Sequence, residues 1–150
     1  MKILTPLDHS QVSEKVFARS LELALPLQAQ LILTTIVEST PPYFSSIALP
    51  TGDLVGIQNY PDLELETRLL TGAQQMLDQY QKIASDRQVS CQIRLEQGNP
   101  RAQICAIAQA ENIDLIVIGS RGLGNLERLM LGSVSDYVVH HAPCAVMVVR

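Results

Sequence analysis

The chain has no long apolar run and few basic residues. Its 150 residues include 11 Lys and Arg against 15 Asp and Glu, a formal net charge of −4, and the basic residues form no cluster. This balance argues against a surface that neutralises phosphodiesters, so we expect no nucleic-acid partner. The apolar stretches are too short for a membrane span, and the first residues lack the pattern of a signal peptide, so we expect no membrane association.

Cysteine is also scarce. Cys91, Cys105 and Cys144 are an odd set, widely spaced and without a C-x-x-C pair. Such a set disfavours disulfides or a zinc site and indicates buried thiols in a reducing cytosol. His140 and His141 lie near Cys144, but no fourth ligand is evident, so we expect no metal there. We therefore predict one cytoplasmic domain, which a chain of 150 residues and 47% apolar composition suits.

What the chain does contain is a regular alternation of short apolar segments, which predict strands, and longer amphipathic segments, which predict helices. The predicted strands are 2–7, 29–37, 89–95, 114–119 and 144–149. The predicted helices run from Ser10 to near Pro26, from Asp62 with an apolar stripe from Leu65 to Ala84, from Pro100 to Asn112, and over 133–141.

This β-α-β-α-β-α-β-α-β order predicts an α/β fold, a doubly wound, Rossmann-like parallel sheet with helices on both faces. Ligands bind such sheets beyond the carboxyl ends of the strands, at the switch point. The first strand is followed by the polar residues Asp8, His9 and Ser10, and the fourth by a glycine-rich turn that starts at Gly119. If these two strands are neighbours, their turns form one site.

Two segments depart from this rhythm. Residues 39–61 hold four prolines and two glycines and show no convincing period. We expect a long, mobile loop there, with a flap over the ligand as the alternative. The last strand, 144–149, carries no charge or proline to protect a sheet edge. A second copy of the same strand, paired about a two-fold axis, would cover it.

The glycines of the last third are spaced for anion binding. The chain contains no Gly-Lys pair for a Walker loop, and Glu127 stands where a dinucleotide loop needs glycine. What is present is Gly119-x-x-Gly122, nine residues, then Gly132-Ser133. The N–H groups that open the last helix are unpaired and partly positive, and Gly132 lets an anion approach them without a Cβ in the way. Side chains that can add donors or charge are Ser133, Ser135, Arg121 and Arg128.

This spacing, with several segments in order, resembles the universal stress protein family. The segments are ILTPLDHSQVSEKVFARSLELA, LILTTIVE, GNP and DLIVIGSRGLGNLERLMLGSVSDYVVHHAPCAVMVV, which together span nearly the whole chain. The resemblance implies a five-stranded parallel sheet of order 3-2-1-4-5 and a homodimer paired through the last strand. It also implies that ATP or another adenine nucleotide binds. If ATP binds, we expect Mg²⁺ to enter with it, held mostly by the phosphates.

The resemblance also assigns a binding site. The adenine and ribose would lie against Pro6, Leu7, Asp8 and Ile36. The floor, the turn and the phosphate end would be formed by Ile118, Gly119, Gly122, Gly132, Ser133, Val134 and Ser135. Thr35 stands where the family often has His, a position that this binding chemistry does not require.

Three functions fit these features. The first is a nucleotide-binding regulatory module in which ATP shifts the dimer or partner state. The second is a slow ATPase or autophosphorylating enzyme, and the third is an interaction protein that binds no nucleotide. The intact glycine spacing disfavours the third. No base with an orienting partner and metal-binding carboxylates stands out, so any turnover should be slow. We expect Asp8 to contact ribose or adenine rather than act as a base.

Overall fold

The part of the chain that the structure describes forms eleven helices and strands in an α/β arrangement. The computed structural model describes residues 1–38, 62–120 and 131–150, and the backbone of 43–48 and 54–59. In chain order the elements are β1 (Lys2–Pro6), α1 (Gln11–Leu27), β2 (Gln30–Val37), β3 (Tyr43–Ala48), β4 (Leu54–Asn59), α2 (Leu63–Asp86), β5 (Cys91–Gln97), α3 (Pro100–Ala110), β6 (Leu115–Gly119), α4 (Ser133–His141) and β7 (Ala145–Val149).

Five parallel strands form the central sheet, in the order β5-β2-β1-β6-β7. Counted along the predicted strands this order is 3-2-1-4-5, so the predicted doubly wound sheet is confirmed. β1 is central: its Leu4 lies opposite Ile32 of β2 and Ile116 of β6. β2 lies on one side of β1 and β6 lies on the other. The switch point of the sheet, where the chain begins to add strands on the opposite side, is therefore between β1 and β6.

Both faces of the sheet are buried, as expected for parallel strands with continuous apolar runs. On one face Ile3, Leu31 and Val117 pack with Val16 of α1 and Leu77 of α2. On the other face Leu4, Ile32 and Ile116 pack with Ile104 of α3 and Val138 of α4. Because successive residues of each strand point to opposite faces, a single short strand supplies both cores.

Two of the helices, α2 and α3, begin at residues whose side chains cap them. The Asp62 side chain accepts hydrogen bonds from the N–H groups of Glu64 (3.0 Å) and Leu65 (3.1 Å) at the start of α2. The Asn99 side chain accepts one from Arg101 (3.0 Å), with Pro100 in the first turn of α3. Such caps satisfy N–H groups that have no partner within the helix.

The apolar stripe predicted along α2 is only partly buried. Ala73 and Leu77 lie in the core, whereas Leu65 and Leu69 are about half exposed, at 53% and 48%. Helical spacing predicts which residues share a face, but it does not predict how much of that face the sheet covers.

The segment 39–61 contains regular structure that the sequence analysis did not predict. β3 and β4 form an antiparallel two-stranded sheet of their own, from Tyr43 opposite Asn59 to Ala48 opposite Leu54. Each strand has six residues, too few for a clear period beside the prolines, although aromatic and β-branched residues such as Phe44 favour strands. The mobility of this segment and its closure over a ligand stay predictions.

Candidate functional site

The turns after β1 and β6 lie at the same edge of the sheet. Ile3 pairs with Leu115 and Leu4 with Ile116, so the two strands run side by side in the same direction. The residues that follow them, from Leu7 and from Gly119, therefore leave the sheet next to each other. The predicted juxtaposition of the two turns is confirmed.

A cavity of about 600 Å³ opens at this edge. It brings together the predicted residues Pro6, Leu7, Asp8, Ile36, Ile118, Gly119, Gly132, Ser133, Val134 and Ser135. The predicted residues Arg121, Gly122 and Arg128 lie outside the described residues. Their roles toward a ligand stay predictions.

The floor of the cavity is apolar and firmly packed. Leu7 and Ile118 are 4% and 5% exposed. Leu7 belongs to the core under α1 and α2, and Ile118 belongs to the core under α3 and α4. Ile36 packs beside Ile118 in the core that α3 and α4 cover. A flat aromatic ring that packs on this floor would lose contact with water on the face turned toward it.

The carboxylate of Asp8 is an acceptor in the lining of the cavity. Its Oδ1 accepts hydrogen bonds from the Ser10 N–H (3.0 Å), the Ser10 hydroxyl and the Ser13 hydroxyl (2.7 Å). Among the described residues its Oδ2 accepts no hydrogen bond. The side chain is therefore fixed by one oxygen and keeps the other for a donor in the cavity.

The N-terminus of α4 supplies the backbone donors of the cavity lining. Gly132 is its N-cap residue and caps it with no side chain. In the part of the chain that the structure describes, the N–H groups of Ser133, Val134 and Ser135 have no acceptor, because the first intrahelical bond of α4 runs from Asp136 to Gly132 (2.9 Å). Such N–H groups carry partial positive charge and bind anions.

The two serines of α4 differ in availability. The Ser135 hydroxyl donates its proton toward the carbonyls of Gly132 (3.0 Å) and Ser120 (3.1 Å), and Ser135 is buried. Ser133 is exposed at the mouth of the cavity. Of the two hydroxyl donors considered in the sequence analysis, Ser133 is thus the one free to reach an anion, while Ser135 offers its N–H.

The described part of the lining is acidic. It includes the carboxylates of Asp8 and Glu38 and the imidazole of His9, and no Lys or Arg. In the described lining, the groups that can attract an anion are therefore the backbone N–H groups of α4 rather than Lys or Arg side chains.

Several lining residues were not predicted from the sequence. Apart from His9 and Ser10, which belong to the predicted turn after the first strand, they are Val12, Ser13, Val16, Thr35, Val37, Glu38, Leu69, Ala73, Pro100, Ile104 and Leu131. The first turns of α1 and α3 begin at the carboxyl edge of the sheet, which would have indicated Val12 and Pro100. No comparable signal indicates Leu69 or Ala73, because α2 follows segment 39–61, in which the sequence predicts neither a helix nor a strand.

The two histidines near the end of α4 bond to backbone carbonyls of their own helix. His140 and His141 bond through Nδ1 to the carbonyls of Asp136 (2.8 Å) and Tyr137 (2.9 Å). The described residues contain no group of three His, Cys, Asp or Glu side chains that could hold a metal ion.

Comparison with known proteins decides the family. The family model described as the universal stress protein family matches residues 1–150. The chain belongs to the universal stress protein family. A universal stress protein of Staphylococcus haemolyticus is 32% identical over 150 residues, covering 99% of this chain and 83% of its own. The universal stress protein UspA from Lactobacillus plantarum superimposes with a TM-score of 0.82 at 28% identity, covering 100% of this chain and 97% of its own.

More distant members share the universal stress protein fold and contain nucleotides. An Arabidopsis thaliana member solved with AMP has a TM-score of 0.67 at 20% identity over 99% of this chain and 90% of its own. Another member, solved in complex with cAMP, has a TM-score of 0.70 at 18% identity over 100% of this chain and 98% of its own. In the described residues of this universal stress protein, no helix is both long and apolar enough to cross a membrane.

Proposed function

We propose that this universal stress protein binds an adenine nucleotide, ATP foremost, in the cavity at the carboxyl ends of β1 and β6, and acts as a dimeric regulatory module in the cytoplasm. One observation carries the proposal. A carboxylate acceptor at Asp8 and the unpaired N–H groups from Ser133 to Ser135 lie at the rim of the same apolar cavity.

Each part of a nucleotide has a chemically matched partner. The base would pack on the apolar floor at Ile36 and Ile118, and its amino group or a ribose hydroxyl would donate to Asp8. The phosphate nearest the ribose would accept from the α4 N–H groups and from the Ser133 hydroxyl. The cavity volume of about 600 Å³ lies within the range of about 300–1,000 Å³ common for small-ligand sites.

The choice of an adenine nucleotide is supported by the AMP and cAMP bound to related folds. ATP needs more positive charge than the described lining supplies, since that lining holds two carboxylates, one imidazole and no Lys or Arg. Arg121, which follows β6 directly after Ser120, can supply part of it. Mg²⁺ would supply charge to the triphosphate while being held mainly by phosphate oxygens and water.

Binding without rapid turnover is the favoured mode. General-base catalysis needs a carboxylate able to take a proton from the attacking group. Asp8 already accepts three hydrogen bonds on one oxygen, which suits a fixed acceptor for the ligand. A slow ATPase or an autophosphorylating enzyme is the alternative.

The dimer would form through β7. This strand lies at an edge of the described five-stranded sheet and is made of Ala145, Val146, Met147, Val148 and Val149. An edge with no charge or proline is a template for another strand. A second copy of β7, paired antiparallel about a two-fold axis, would supply partners for the unpaired backbone N–H and C=O groups of this edge.

The test is to identify the ligand directly. Protein purified under native conditions would be heated, and the released small molecules separated by ion-exchange chromatography and identified by mass spectrometry. Nucleotide-free protein would then be titrated calorimetrically with ATP, ADP, AMP and GTP, each with and without Mg²⁺. We expect the adenine nucleotides to bind more tightly than GTP. Absence of binding by all three adenine nucleotides at millimolar concentration would contradict the proposal.

A further inference from the structure

Ser13 makes two hydrogen bonds to a single residue five positions earlier. Its hydroxyl donates to Oδ1 of Asp8 (2.7 Å) and accepts from the backbone N–H of Asp8 (2.9 Å). Ser13 is 4% exposed, in the first turn of α1, and lines the cavity beside Asp8. One buried hydroxyl therefore fixes both the backbone and the side chain of Asp8.

These bonds are not the usual cap of a helix. Ser10 is the N-cap residue of α1, and its side chain makes no capping hydrogen bond. In a capping box the third residue of the helix reaches back to the N–H of the N-cap residue. Here Ser13 occupies that third position, yet it bonds to Asp8, and it is Asp8 that accepts from the Ser10 N–H (3.0 Å). The serine hydroxyl is thus used to hold the carboxylate.

The result is a carboxylate with two unlike oxygens. Oδ1 accepts from Ser10 and Ser13, toward the start of α1. Oδ2 accepts no hydrogen bond from the described residues, and Asp8 borders the cavity. A carboxylate held in this way loses little rotational freedom when a donor binds to it, which favours affinity and directionality.

We propose that Ser13 is a positioning residue that fixes Asp8 so that Oδ2 accepts a hydrogen bond from an N–H or O–H donor of the bound nucleotide. This inference rests on the proposed function, because it assigns a task within the same nucleotide site. It makes Ser13 a determinant of which nucleotide binds, although Ser13 itself need not contact the ligand. The donor is either the 6-amino group of adenine or a ribose hydroxyl.

The experiment compares Ser13→Ala with Ser13→Thr, which keeps a hydroxyl, and with Ser20→Ala as a matched control. Ser20 is also buried in α1, and its hydroxyl bonds to Thr5 and Val16, away from Asp8. Calorimetry would give the affinities of AMP, of IMP, which lacks the 6-amino group, and of 2′-deoxy-AMP. We expect Ser13→Ala to weaken AMP binding about tenfold or more, as for a lost hydrogen bond to a charged group.

Selectivity distinguishes positioning from general damage. We expect both Ser13→Ala and Asp8→Asn to lose the preference for AMP over IMP or over 2′-deoxy-AMP, and Ser13→Thr to keep it. In the Asp8→Asn background, Ser13→Ala should cause little further loss of affinity. An unchanged preference in Ser13→Ala, or a full additional loss in the double variant, would overturn the inference.

A measurement without ligand separates this inference from the proposed function. Amide hydrogen exchange at Asp8, followed by NMR, should become faster in Ser13→Ala, because the Asp8 N–H loses its acceptor. It should stay unchanged in Ser20→Ala. If the wild-type protein binds no nucleotide, the proposed function fails. If exchange at Asp8 is equal in Ser13→Ala and the wild type, Ser13 does not hold Asp8, and the positioning role fails whatever the protein binds.

Discussion

Gly132 donates its backbone N–H to the carbonyl oxygen of Ser120 across 2.7 Å. Ser120 in turn donates its own N–H to the carbonyl of Val149 at the end of β7 (2.7 Å). The start of α4 is therefore tied to β6 and β7 by backbone bonds that do not depend on any side chain. This arrangement fixes the unpaired N–H groups of α4 relative to the sheet before any ligand arrives.

The variant Gly132→Val tests the anion site. Gly132 has φ −68° and ψ 158°, an extended conformation that any residue adopts. The backbone thus tolerates valine, and we expect the free energy of unfolding to stay within about 1 kcal/mol of the wild type. The added side chain would stand beside the α4 N–H groups, so we expect calorimetry to show no AMP or ATP binding. Unchanged affinity would contradict the phosphate assignment.

The serines of α4 should respond to truncation in different ways. Ser133→Ala removes an exposed hydroxyl, and we expect nucleotide affinity to fall by about 1–2 kcal/mol with stability unchanged. Ser135→Ala removes a buried hydroxyl bonded to the Ser120 and Gly132 carbonyls, and we expect the free energy of unfolding to fall by about 1 kcal/mol. Calorimetry and urea denaturation on both variants give the comparison. The reverse pattern would show that the hydroxyl roles are exchanged.

Two glycines outside the site provide a prediction about stability alone. An added Cβ at Gly72, inside α2, meets no atom within 4 Å, whereas at Gly98 it would lie 3.3 Å from Nε2 of Gln103 at a φ of +125°. We expect Gly72→Ala to raise the free energy of unfolding by about 0.5–1 kcal/mol. Gly98→Ala should lower it by about 1–3 kcal/mol because of backbone strain. Urea denaturation checks both, and equal effects would contradict this reading of the two backbones.

A charge on β7 tests the proposed dimer. Val146→Lys would place an ammonium group in the strand that pairs with its copy, so we expect monomers in sedimentation at concentrations where the wild type is dimeric. Val146 also packs against the core under α3 and α4. Ala145→Lys, at an exposed position of the same strand, therefore serves as a milder variant. Leu63→Lys, on α2 and 75% exposed, is the control. A stable dimer in both β7 variants, or a monomeric wild type, would argue against pairing through this strand.

The parts of the fold that follow from the order of elements could be predicted. All five sheet strands except β5 are short and apolar on both faces, which is typical of a parallel sheet with helices on each side. The resemblance to a known family then supplied the strand order, and with it the neighbourhood of Asp8 and Gly119. The strand order and the closeness of these two turns follow from how the chain connects its strands, so they do not depend on the packing of any one side chain.

The parts that depend on packing were not predicted. Leu69 and Ala73 reach the cavity because α2 crosses its rim, and their helical spacing does not contain that information. The free hydroxyl of Ser133 and the engaged hydroxyl of Ser135 differ only in what surrounds them. The bond from Ser13 to Asp8 runs from one element to the preceding turn, and a pattern of residue types does not specify it.

The thiol of Cys91 provides a test of burial at the start of β5. Burial raises its pKa to about 11 from an ordinary value of 9.0. Between these values the folded state holds a proton that the unfolded state has released, so the free energy of unfolding must fall as pH rises. The contribution is fully present below pH 9.0 and is lost as the pH passes about 11. Urea denaturation at several pH values should therefore show a steeper alkaline loss for the wild type than for Cys91→Ala.

The comparison with Cys91→Ala isolates this thiol from the other groups that titrate in the same range, including Cys105 and Cys144, whose pKa values burial also raises. A second measurement uses a variant in which Cys105 and Cys144 are replaced by serine. Iodoacetamide should label its Cys91 more slowly at pH 9 in the native state than in urea, because the thiolate is the reactive form. Equal labelling rates, or parallel loss of stability in the wild type and Cys91→Ala, would mean that water reaches this sulfur freely and that the β5 edge is less firmly packed against α2.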